Sequence, residues 1–163
     1  MVTYGDCCQL AASGCNLQLI VPYDKVNRAD LKVISQIRVK EGQQLYDAGL
    51  FCGAYYLTGY AVECALKSAI CKQISQYDFP DKKLANDSFT HDLTKLLGVS
   101  GLKTDLETAM KANAALELNW SIVKDWSEES RYRHDISQAT ARDLIEASVS
   151  QPNGIHSWIM TKW

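Results

Sequence analysis

Glu63 and Lys67 stand four residues apart in "TGYAVECALKSAI" (58–70), and the run before them, Leu50 to Val62, is uncharged for 13 residues. An acid one helical turn ahead of a base is the favourable order for an intrahelical ion pair. On an exposed surface such a pair contributes about 0.3–0.5 kcal/mol. The same charges lining a cleft would instead bind a polar ligand. Spacing alone reads more simply as the ion pair.

"ESRYRHD" (129–135) is the densest polar cluster in the chain. Arg131, Arg133 and His134 fall just ahead of a helix start, where side-chain donors and free backbone N–H groups together suit a phosphate. A solvated loop whose arginines are neutralised by Glu128, Glu129 and Asp135 fits equally well. Tyr132, the one large ring among the charges, reads as core. His91 precedes Asp92 at another helix start and reads as a cap-side histidine bonding locally. His156 has no ligand-like neighbours. None of the three histidines has an HxxxH or HxxE partner, so no metal is expected, and no cofactor. There is no glycine-rich phosphate loop and no nucleophile elbow.

The elements that must position these residues are helices. "NRADLKVISQIRVKEGQQLYDAG" (27–49) carries apolar residues at 31, 34, 37, 45 and 48, with Asn27 and Asp30 to cap it and Gly49 to end it. Residues 50–75 are apolar around nearly the whole circumference, as a central helix requires. Ala54, Thr58, Ala61, Ala65 and Ala69 form a narrow ridge for close approach of a neighbour. Residues 76–89, polar and containing Pro80, read as a loop. "THDLTKLLG" predicts a short helix with Leu93, Leu96 and Leu97 inward and Gly98 as its stop. A single amphipathic helix is expected over 102–120, an ordered connection over 121–137, and a helix over 139–151 burying Ala141, Leu144, Ile145 and Ala147–Ser148. "IHSWIMTKW" closes the chain. The fold class is all-α, an up-and-down helical bundle of about four main helices plus short ones.

The 163 residues bound this to one domain of substantial core, residues 25–163. The net charge of −2 removes whole-protein attraction to phosphate, so any RNA contact must use a local cluster. Six cysteines include no CxxC pair and read as reduced structural thiols. "LAASGC" (10–15) has the look of a lipoprotein cleavage site, but no Lys or Arg precedes it. Residues 1–24 read as a leader, partly ordered or not native. A membrane span needs roughly 20 apolar residues, more than the 13 available here. A cytoplasmic protein is expected.

"LYDAGLFCGAYYLTGYAVECALKSAI", then "HDLTKLL", "ESRY" and "GIHSWIMTKW", occur in an order that resembles the HEPN family, the helical domains named for higher eukaryotes and prokaryotes nucleotide-binding. The resemblance covers roughly residues 28–163 and rests mostly on "GAYYLTGYAVECALK". It implies a compact bundle of about four main helices, commonly a homodimer. It further implies a nucleotide or RNA ligand, or a partner nucleotidyltransferase in a two-component toxin–antitoxin or defence system. The acid and base on the family's second helix match Glu63 and Lys67. Family members that are metal-independent ribonucleases carry an Arg followed by His after four to six residues. Here the positions so spaced from Arg131 and Arg133 are Ile136, Ser137, Gln138, Ala139 and Thr140, and His134 lies only three after Arg131. The expectation is therefore a non-catalytic binding module using Glu63, Lys67, His91, Arg131, Tyr132, Arg133 and His134. The alternatives are a ribonuclease with an atypical Arg131/His134 pair and a structural dimerisation module.

Overall fold

The computed structural model describes residues 26–74 and 81–163, and among these the chain is all-α. The leader and the Pro80 end of the expected loop lie outside the described residues. Helix α1 (Arg28–Asp47) opens with a capping box: the Asn27 side chain accepts the amides of Ala29 and Asp30, while Asp30 accepts the amide of Asn27. Gly49, at φ 77°, turns the chain into α2 (Phe51–Cys71). The Gly49 and Leu50 amides donate to the carbonyls of Tyr46 and Leu45, closing a Schellman motif.

Helix α2 is the centre of the molecule, with 12 of its 21 residues buried. Its small-residue ridge receives α1 along an antiparallel hairpin. A Cβ on Gly42 of α1 would come within 2.6 Å of Thr58 Oγ1 and 3.3 Å of the Ala54 carbonyl, so only glycine allows the approach. This corrects the expected inward stripe of α1. Ser35 and Gly42 are its buried residues, Leu31, Ile34 and Leu45 are half-buried, and Ile37 is exposed. Close packing selects small side chains over large apolar ones.

Around α2 sit α4 (Leu93–Val99), a 3-10 turn (Glu128–Tyr132), α7 (Gln138–Val149) and α8 (Ile155–Met160). Helix α4 buries Leu93, Leu96 and Leu97 as its spacing predicts, but runs one residue past Gly98. Helix α7 buries Ala141, Leu144, Ile145, Ala147 and Ser148, again as expected. Two expectations are overturned. Part of the expected loop folds as α3 (Lys82–Ser88), because Asp81 caps the Lys83 amide and Lys83 pairs with Asp87 one turn on. The single helix over 102–120 is two, α5 (Lys103–Ala112) and α6 (Ala114–Val123). Asn113 breaks it in extended conformation. Its Oδ1 accepts the Ala115 and Leu116 amides and its Nδ2 donates to Asn153 Oδ1 at 2.8 Å. Helix α6 then takes up the start of the expected connection. No helix among the described residues is long and apolar enough to cross a membrane. Cys52, Cys64 and Cys71 are free thiols.

His156, at the start of α8, ties three helices together. Ser35 Oγ donates to the Ala61 carbonyl at 2.7 Å, so its lone pair must accept from His156 Nε2, also at 2.7 Å. His156 Nε2 therefore carries a proton. Burial pushes its pKa from the ordinary 6.5 down to about 4. Between those values the unfolded chain binds the extra proton, so stability rises with pH. The contribution is whole above pH 6.5 and lost as pH falls towards 4. Urea unfolding is expected to lose about 3 kcal/mol from this source between pH 7 and pH 4. His156→Gln, which keeps a donor for Ser35, should flatten that part of the pH dependence.

Candidate functional site

Ala61 lies on the α2 face that packs against α1. Two residues on, Glu63 is about 200° round the helix, on the opposite face. Tyr56, Tyr60, Glu63 and Lys67 share that face at i, i+4, i+7 and i+11. Glu63 is only 1% exposed. A buried carboxylate must be paired, because leaving it alone in the interior costs several kcal/mol. Two bases pair it: Lys67 Nζ donates to Oε1 at 2.8 Å, and His91 Nδ1 lies 2.9 Å from Oε1 and 3.1 Å from Oε2. This sharpens the expectation for Glu63 and Lys67, whose ion pair exists but is set into the core rather than on the surface.

His91 does not bond locally as its position suggested; it reaches an acid 28 residues earlier. Its neighbours make this possible. Thr90 Oγ1 accepts the Asp92 amide, and Asp92 caps α4 by accepting the Lys95 amide at 3.0 Å. That amide bond holds the Asp92 carboxyl below its ordinary pKa. Leu93, Leu96 and Leu97 then anchor α4 in the core, which presents His91 to Glu63. A carboxylate only accepts, so His91 Nδ1 carries a proton. Nε2, across the ring, is left to the solvent-facing side, and the side chain is 44% exposed.

His91 lines a groove of about 380 Å³ with Thr94, Lys124, Trp126, Ser127 and Glu128. Trp126 is buried, and its ring occupies the place a Cβ on Gly59 would fill. Tyr56 stacks on Tyr60 with centroids 6.2 Å apart and touches Trp126 at the same distance. Burial and then the Cys64 thiol push the Tyr60 phenol up to about 12, and burial pushes Cys64 up to about 11. Both therefore stay protonated at neutral pH and offer no nucleophile.

The 3-10 turn begins beside this groove at Glu128 and carries Arg131 and Tyr132 of "RYRH", with Arg133 and His134 directly after it. Arg131 does not reach Glu63. Its guanidinium lies 4.8 Å from the Tyr132 ring centroid, and the phenols of Tyr132 and then Tyr56 hold its pKa above the ordinary value. Tyr132 is not core but 75% exposed, since the tight turn buries Ser130 instead. Arg133 makes a two-pronged pair with Asp135, both bonds 2.8 Å, and His134 is exposed. Glu63, Lys67 and His91 are thus brought together, while Arg131, Tyr132, Arg133 and His134 stand apart on the adjoining turn. Trp126 and Lys124 escaped sequence reasoning, and Glu128 was read only as a counter-charge, although the i, i+4, i+7, i+11 row of α2 was a readable signal for the face that Trp126 covers. Among the described residues no three His, Cys, Asp or Glu side chains converge to hold a metal ion.

No family model, curated protein or solved structure matches the chain.

Gly59 is the point where α2 admits the groove's tryptophan. Gly59→Ala is expected to lower stability by about 1–3 kcal/mol through overpacking. In a two-dimensional NMR spectrum the Trp126 indole resonance should shift more than those of the other tryptophans. An unmoved Trp126 signal with unchanged stability would refute the contact.

Proposed function

We propose that this chain is a HEPN-like, non-catalytic binding module whose ligand is a nucleotide or single-stranded RNA. The observation that carries this reading is the groove beside Glu63, where an imidazole held by a buried carboxylate stands with Lys124 and the edge of Trp126. Its volume of about 380 Å³ falls in the range that takes a small organic ligand. Lys124 would meet a phosphate, while His91 Nε2, Asp92 and Glu128 would accept from base amino groups or ribose hydroxyls. Arg131 and Arg133, exposed on the adjoining turn, extend the cationic border for a longer strand. With net charge −2, affinity rests on these few cations. The salt dependence should accordingly be shallow, equivalent to about one to three phosphate contacts. In this reading the chain pairs with itself and works beside a small nucleotidyltransferase, as its resemblance implies.

The ribonuclease alternative on Arg131 and His134 has less support. Arg131 is engaged with Tyr132, and no hydrogen bond or ion pair joins it to His134 among the described residues.

Fluorescence anisotropy with labelled single-stranded RNA in EDTA, followed by gel analysis of the same samples, tests the proposal. The expected result is intact RNA, with binding weakened at least tenfold by His91→Ala. RNA cleaved by the wild type and spared by both Arg131→Ala and His134→Ala would make the protein a ribonuclease. Failure to bind RNA or nucleotides, with self-association intact, would leave a structural dimerisation module.

A further inference from the structure

At the open end of the α1–α2 hairpin, remote from the Glu63 face, lies a second concavity of about 650 Å³ lined by Asn27, Arg28, Ala29, Lys32, Cys71, Lys72 and Ile74. Three of these seven residues are cations. None of the ion pairs among the described residues involves Arg28, Lys32 or Lys72. Arg28 Nε is buried and has no acceptor among the described residues. Lys72 Nζ spends one of its three donors on the Lys162 carbonyl, at 2.9 Å. Lys32 Nζ sits 5.1 Å from the Trp163 ring centroid, a contact that orients it without neutralising it.

Like charges gathered without an ion-pair partner among the described residues oppose one another. Burial, then Arg28, then Lys72 hold the Lys32 ammonium below its ordinary pKa. A multiply charged anion removes this repulsion and supplies the missing acceptor for Arg28. We propose that this concavity is an anion site for the pyrophosphoryl portion of a phosphate-bearing small molecule such as a nucleoside di- or triphosphate. Three converging cations match two or more phosphoryl groups better than a single carboxylate, and the volume exceeds what inorganic phosphate alone would fill. The site is separate from the groove beside His91, so its failure leaves that proposal standing.

Isothermal titration calorimetry with pyrophosphate, with ATP, and with a 5′-hydroxyl single-stranded RNA decides the matter. Pyrophosphate should bind one per chain, and ATP should compete with it for that site. Arg28→Gln and Lys32→Gln should each weaken pyrophosphate binding at least tenfold. Because each Gln variant removes a repelled charge, its thermal midpoint without ligand should equal or exceed that of the wild type, which separates lost binding from lost folding. Three results would overturn the proposal: no binding of pyrophosphate, binding undiminished in the two Gln variants, or RNA binding at these cations without pyrophosphate binding.

Discussion

A carboxylate buried in the middle of the central helix is the constraint on which the functional half of this molecule depends. Glu63 cannot stay charged in the interior without partners. Lys67 comes from its own helix at no topological cost. His91 does not; it must be delivered by a separate element held in register. The Thr90 and Asp92 bonds and the leucines of α4 do this. One buried acid thereby fixes the docking of α4, the proton on His91 Nδ1 and the nitrogen left facing outwards.

Helix α2 can afford such a polar burial because its other face packs so closely. Along the ridge from Ala54 to Ala69, α1 approaches where Gly42 and Ser35 present almost no side chain. Ser35 and His156 then join α1, α2 and α8 through one hydroxyl. On the site face the same device recurs, with Gly59 admitting the ring of Trp126. Small residues on opposite sides of one helix set both the hairpin and the groove.

What could be read from the sequence was what is local. The Leu93, Leu96, Leu97 pattern, the inward face of α7, the Glu63–Lys67 spacing and the small-residue ridge are all written within a few turns of chain. What was not legible depends on partners far away. His91 looks like a cap residue because its acid lies 28 positions back. Asn113 looks like an ordinary helical residue until Asn153 is seen across from it. Tyr132 was misplaced for another reason: its size argues for burial, but a 3-10 turn gives it no inward direction and Arg131 lies against its ring. The groove's Trp126 and Lys124 sit in a stretch without periodicity, where pattern reasoning has nothing to work on.

The central claim is that Glu63 and His91 act as one unit. A double-mutant cycle on urea unfolding, using Glu63→Gln, His91→Gln and the pair, measures that directly. The account predicts a coupling of about 0.5–3 kcal/mol, each single change costing more than it does when the partner is already gone. Strictly additive losses would mean that the two side chains do not depend on each other, and would contradict it.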